Sequence, residues 1–157
     1  MGVLIPTLMP AQNVTINGEL RPRTEMRSGY GAPLTTAVDP GVFTIQRSRL
    51  SLTYTTQPMK TCVTLQDART WGETGHTSEA TSATGATTVY ESWVELLPAP
   101  GLTCRMGRQP LAYDDNRLFS ASGWSNTGSA HDMMLMRYAI GLSQIHYALA
   151  FNHDKAI

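Results

Sequence analysis

The sequence predicts an all-β fold, an antiparallel up-and-down meander of about seven long strands that is part of a transmembrane β-barrel. Three observations carry the prediction. β-forming segments alternate apolar and polar residues with period two. Tight turns and long loops alternate along the chain. No run of apolar residues is long enough for a membrane-crossing helix, which needs roughly 18.

The first strand, Asn13 to Arg27, is the clearest. Val14, Ile16, Gly18, Leu20, Pro22, Thr24 and Met26 share one mainly apolar face. Asn13, Thr15, Asn17, Glu19, Arg21, Arg23, Glu25 and Arg27 share the other. The segment exceeds the roughly 5–6 residues of a globular strand and covers the roughly 9–11 that cross a bilayer obliquely. In the second strand, Phe43 to Thr56, Leu50, Leu52 and Tyr54 oppose Arg47, Arg49, Ser51 and Thr53. The third runs from Thr61 to Gly72. Val63 and Leu65 share their parity with Asp67, Arg69 and Trp71, so a β-bulge near Gln66-Asp67 is expected to carry the charges to the polar face. The fourth, Thr88 to Leu97, sets Tyr90, Val94 and Leu96 against Glu91, Trp93 and Glu95. The fifth, Leu102 to Tyr113, has a second break of phase around Gly107-Arg108-Gln109. The sixth is Asp132 to Ile140. The seventh is Gln144 to Asn152, where Ile145, Tyr147, Leu149 and Phe151 alternate with Gln144, His146, Ala148, Ala150 and Asn152.

The tight connections are Gln57-Pro58-Met59-Lys60, Pro98-Ala99-Pro100-Gly101 and Gly141-Leu142-Ser143. The long ones are Ser28 to Val42, Glu73 to Thr87 and Asp114 to His131. Short periplasmic turns alternating with long external loops are the wiring of an outer-membrane barrel. A soluble Greek-key sandwich has no reason to sort its loops this way.

Composition narrows the functional classes. The chain has 157 residues and an apolar fraction of 41%, which suits one folded domain. Basic and acidic residues balance at 12 each, which argues against a nucleic-acid partner. Every basic residue except Lys60 and Lys155 is Arg, whose rigid fork of donors suits held carboxylates. Cys62 and Cys104 fall on strands that should not be neighbours and read as free thiols. Residues 1–11, with Val3-Leu4-Ile5 and a small Ala11, read as a signal-peptide remnant ahead of a domain over 12–157.

The inner-face charges are the candidate site. Basic members are Arg21, Arg23, Arg27, Arg47, Arg49, Arg69, Arg105 and Arg108; acidic members are Glu19, Glu25, Asp67, Glu91 and Glu95. Such residues ladder across strands, stiffen the wall and, where arginine is in excess, favour anions. No catalytic set, metal site or cofactor is expected. His76, His131, His146 and His153 lack metal-ligand spacing, and His131-Asp132 reads as a loop end meeting a strand start rather than a base with its orienter. Asp114-Asp115 reads as turn residues rather than a Ca²⁺ site. Ser48, Ser92 and Ser120 lack a nucleophile-elbow context. Tyr30, Phe43, Tyr54, Trp71, Tyr90, Tyr113 and Tyr138 fall near strand ends or on outer faces, where an interfacial girdle would use them.

Several blocks together resemble a known family. Ile16-Asn17-Gly18-Glu19-Leu20-Arg21-Pro22-Arg23-Thr24-Glu25 resembles the opening strand of alginate-export-type outer-membrane porins. Arg47-Ser48-Arg49-Leu50 is similar to their second strand, and Leu65-Gln66-Asp67-Ala68-Arg69-Thr70-Trp71-Gly72-Glu73 to their third. Residues 107–118, Gly107-Arg108-Gln109-Pro110 through Asp114-Asp115-Asn116-Arg117-Leu118, resemble the fifth strand and its loop; Trp124-Ser125-Asn126-Thr127-Gly128 and His131-Asp132 follow in order. The resemblance implies a monomeric, many-stranded barrel in the bacterial outer membrane, contacting lipid and passing an anionic carbohydrate or small organic solutes. It implies that the loop after Asp114 folds inward as a constriction. It implies that Glu19, Arg21, Arg23, Arg47, Arg49, Asp67, Arg69, Arg108 and Arg117 line the solute path. Seven is an odd strand number, and no terminal strand with an aromatic end follows, so the expectation is the N-terminal portion of a longer barrel. The alternative is a soluble all-β protein that binds or cleaves acidic polysaccharide, with its apolar face buried against a second layer.

Overall fold

The computed structural model describes residues 12–28, 40–73 and 87–150. The signal-peptide reading of residues 1–11, Tyr30, His76, His153 and most of the first two long loops lie outside the described residues. Seven strands form one sheet in sequence order, each antiparallel to the next. They are β1 (Asn13–Arg27), β2 (Gly41–Thr56), β3 (Met59–Thr70), β4 (Thr88–Ala99), β5 (Leu102–Gln109), β6 (His131–Ile140) and β7 (Ser143–Ala150). A short 3₁₀ turn, Asp114–Asn116, sits between β5 and β6. The sheet is open, with β1 and β7 at its edges. This is the meander the sequence predicts, with the architecture of a barrel-wall segment.

The tight turns join β2 to β3, β4 to β5 and β6 to β7 at one end of the sheet. Gly101 (φ 77°) and Gly141 (φ 59°) take left-handed conformations in two of them, where a Cβ would be strained. β5 ends four residues earlier than its apolar pattern suggests, because Pro110 has no N–H to give the ladder. Cys62 and Cys104 are both free, on strands separated by β4.

The pleat sorts the side chains. The outer face exposes Ile16, Leu20, Leu50, Leu52, Leu65, Met106, Ile145 and Leu149, with Ile16 65% and Leu20 69% accessible. Among the described residues no second layer covers this face; every strand contact is with its sheet neighbours. The inner face is polar towards β1 and gains an apolar patch of Leu111, Met133 and Leu135 towards β6, with Tyr113 packed against it.

Two expected phase changes are not made. β2 and β3 pair without a shift from Ile45↔Thr70 to Thr56↔Met59, so no bulge occurs at Gln66-Asp67. Asp67 therefore lies opposite Ser48, and Arg69 opposite Gln46, on the outer face. β5 and β6 likewise pair in regular register through Gly107, Arg108 and Gln109, which puts Arg108 outward beside Asp132. The pairings shift instead on β4, once against β5 between Leu96 and Ala99 and once against β3. Thr64 pairs with Glu91 and Leu65 with Val89, so Tyr90 is the extra residue. It turns inward beside Glu91 and is buried, contrary to its expected outer-face position. Tyr113 also departs from the expected girdle, packing on the inner face. Trp71 is 58% exposed at the long-loop end of the outer face, where its indole N–H donates to Gln46 Oε1 at 3.0 Å.

Gly107 carries the tightest backbone contact. Its φ is +118°, and an added Cβ would stand 2.2 Å from the Ser92 carbonyl oxygen and 2.9 Å from the Trp93 Cα. Both the dihedral and the space exclude a side chain. Gly107→Ala is expected to destabilise the β4–β5 pairing by roughly 3 kcal/mol, read as a lower urea midpoint for the lipid-reconstituted protein; an unchanged midpoint would contradict this packing.

Candidate functional site: an arginine-held loop on the inner face

The site begins with the alternation of β1 and β2. Glu19 pairs with Arg49 and Arg21 with Arg47, so charged residues of both strands stand side by side on the inner face. Arg47 is buried, and its Nε and Nη2 both donate to Glu19 Oε1 at 2.7 Å. Arg23 Nη2 lies 2.6 Å from Glu25 Oε1, and Arg27 donates to Glu25 Oε2 at 2.7 Å while its guanidinium covers the Phe43 ring at 4.8 Å. On β3 the inner-face residues Cys62, Thr64 and Gln66 are all buried.

The segment from Pro110 to Ala130 then folds back over this face. Leu111 and Tyr113 fix its start against Met133 and Leu135; Tyr113 packs edge-on to Phe119 at 6.2 Å and its hydroxyl meets His146 Nδ1 at 2.6 Å. Asp114, Asp115 and Asn116 take positive φ values of 48°, 54° and 66°, a conformation that short Asx side chains tolerate. The returning half bonds to itself. Ser125 N donates to Ser122 O and Ser129 N to Ala121 O, both at 2.9 Å, and Gly128 N donates to Ser125 Oγ at 2.7 Å.

Four arginines clamp this loop through its backbone. Arg21 donates to the carbonyls of Gly123 and Ser125. Arg23 Nη1 donates to Trp124 O at 2.7 Å. Arg47 Nη1 reaches Gly123 O at 3.2 Å and Ser125 O at 3.1 Å. Arg49 donates from Nε to Gln66 Oε1 at 2.8 Å and from Nη2 to Thr127 O at 3.0 Å, with its guanidinium stacked 3.6 Å above the Tyr90 ring. Gly128 completes the fit: a Cβ there would lie 2.7 Å from Arg49 Nη2 and 3.1 Å from the Tyr90 ring, at φ +74°.

A second charged group lies towards the tight turns. Glu95 accepts from Arg105 at 2.8 Å and also from Arg137. Arg105 stacks 3.9 Å over Trp93, whose indole N–H donates to Glu91 Oε2 at 2.9 Å. This cluster ties β4, β5 and β6 together.

Of the expected lining residues, Glu19, Arg21, Arg23, Arg47 and Arg49 converge on one face. Asp67 and Arg69 pair with each other on the outer face at 2.6 Å, and Arg108 pairs there with Asp132 at 3.0 Å. The reason is the unshifted register on both strands. Arg117 is exposed on the loop just after the 3₁₀ turn, away from the clamp. His131 and Asp132 are consecutive strand residues and point to opposite faces. Sequence reasoning missed Tyr90, Gln66, Gly128 and Arg137. Arg137 had a usable signal, since it shares parity with Met133 and Leu135. The others depend on the bulge and on where the loop lands, which no local pattern carries.

An antiparallel meander with a charged inner face and an inward-folded loop has the architecture of a barrel-wall segment. A family model described as "Alginate export" matches residues 12–149, and the chain belongs to that family. It is a transport family rather than an enzymatic one, and its members are typically outer-membrane export proteins. No curated protein and no solved structure matched the chain.

Removing the buried member of the clamp leaves Glu19 without its partner and two loop carbonyls with one donor fewer. Arg47→Ala is expected to lower stability by about 3 kcal/mol, whereas Arg23→Ala, in a half-exposed ion pair, should change it by about 1 kcal/mol or less. Urea titrations of the two variants in the same lipid check the ranking; equal losses would refute it.

Proposed function

We infer that this chain builds part of the wall of an outer-membrane channel that passes an anionic polysaccharide or smaller anionic organic solutes. The observation that carries the reading is the state of the clamp arginines. Arg23 and Arg47 are matched by Glu25 and Glu19, but the acceptors met by Arg21 and Arg49 are neutral carbonyl oxygens. Neither bonds to a carboxylate, and Glu19, which acts on both through space, is already paired with Arg47, so the group keeps a surplus of fixed positive charge. Such a surplus in a lumen wall favours anions over cations. The outer face supports the lipid partner, because a single sheet with Leu50 and Leu52 half exposed has no second layer among the described residues to cover it. That arrangement gives no support to a soluble polysaccharide-binding or cleaving protein, which needs the same face buried. The protein acts as a monomeric barrel in this reading, since each strand faces lipid outward and lumen inward.

Two measurements test it. In planar bilayers the full-length protein with Arg47→Ala and Arg49→Ala should lose anion preference, seen as a reversal potential that moves towards the cation side in a salt gradient. Unchanged selectivity removes both residues from the solute path. Leu50→Arg should destabilise the reconstituted protein by roughly 2–4 kcal/mol if its face meets the hydrocarbon core; a change within about 0.5 kcal/mol, as at an ordinary water-exposed position, would remove the lipid assignment.

A further inference from the structure

The clamp also raises the question of what competes for it, and we propose that the loop 119–130 is a latch that carboxylate-bearing cargo opens by taking over the guanidiniums of Arg21, Arg23, Arg47 and Arg49. The proposal rests on the anion-channel reading and adds a mechanism of regulation to it.

Four observations carry it. The latch acceptors are the backbone carbonyls of Gly123, Trp124, Ser125 and Thr127, all neutral. A carboxylate bonds the same guanidinium through two parallel, charge-assisted contacts of about twice the strength, so it is the better ligand for each fork. The oxygens follow one another along a single stretch of chain, as the acidic groups of a polyanion do. Its other ties are few: Phe119 O accepts from Tyr113 N at 3.1 Å, the two rings meet edge-on, and the Tyr90 hydroxyl donates to Ser129 O at 3.5 Å. Phe119 is 50% and Trp124 74% exposed, so release forfeits few apolar contacts. The start of the segment stays attached, because Leu111 packs on Met133 and Leu135. The returning half keeps its own bonds, Ser129 N to Ala121 O and Gly128 N to Ser125 Oγ, until it is freed.

Loop and ligand then exclude one another, and the coupling is reciprocal. Cargo frees the loop, and anything that weakens the loop tightens cargo binding.

Hydrogen exchange of the full-length protein in lipid nanodiscs tests this, with an oligogalacturonate as the anionic probe and a neutral maltooligosaccharide of the same length as control. Saturating oligogalacturonate is expected to speed exchange of the Ser125, Gly128 and Ser129 amides by about tenfold or more, with no effect of the neutral sugar. Gly128→Ala, which crowds Arg49 and Tyr90 without removing an arginine, should speed the same amides without ligand and bind oligogalacturonate several-fold more tightly. Ser125→Ala, which removes only the bond to Gly128 N, should do the same to a smaller degree and guards against a misfolded glycine variant. Slower or unchanged exchange on adding oligogalacturonate overturns the latch, as does weaker binding by both variants, which would make the loop part of the binding site. Selectivity measured in bilayers is independent of these amides, so a failed latch with intact anion preference leaves the channel reading standing.

Discussion

The structure depends on an uninterrupted register across its first three strands. β1 pairs with β2 from Asn13↔Thr55 to Arg27↔Gly41, and β2 with β3 from Ile45↔Thr70 to Thr56↔Met59, with no residue gained or lost. Because the side-chain period is two, one residue of slip would carry every arginine of β2 to the apolar face. The register therefore fixes two things together. It assembles Glu19, Arg21, Arg47 and Arg49 on one side, and it strands Asp67 and Arg69 on the other, where they neutralise each other at the long-loop end of the outer face. An ion pair next to the exposed Trp71 suits the edge of an apolar band better than its centre.

One bulge supplies what the ladder cannot. At Tyr90 an extra residue lets two consecutive side chains, Tyr90 and Glu91, point inward. The aromatic face then supports the Arg49 guanidinium, and the ring edge and that guanidinium together leave room for Gly128 but not for a Cβ. The landing place of the loop thus traces back to an irregularity on a strand that the loop's own sequence does not describe.

Arginine rather than lysine follows from the same geometry. Arg21 spans the carbonyls of Gly123 and Ser125, and Arg47 spans Glu19 and the same two carbonyls, from single planar heads with fixed donor directions. An ammonium is a point charge and cannot bridge such separated acceptors in a set orientation. Each bond from a charged donor contributes about 1.5–3 kcal/mol before the ordering of the loop is subtracted. Several are needed to hold a segment whose Leu118 and Trp124 remain in contact with solvent.

The sequence by itself determined the strands, their order and the loop wiring, because period-two alternation and turn chemistry are local properties of consecutive residues. It also placed Glu19, Arg21, Arg23, Arg47 and Arg49 on one face, since these lie on strands joined in simple succession with strong, unbroken alternation. It misplaced Asp67, Arg69, Arg108 and Tyr90. Their sides depend on whether a bulge falls on β3, β4 or β5, and alternation that loses phase shows that something shifts without showing where. The resemblance implied that the loop after Asp114 folds inward; the tertiary structure alone decided that it lands on the β1–β2 arginines and that its backbone, not its side chains, occupies them. Backbone carbonyls are the same in every residue, so no reading of side-chain types could mark them as the partners of the charged wall.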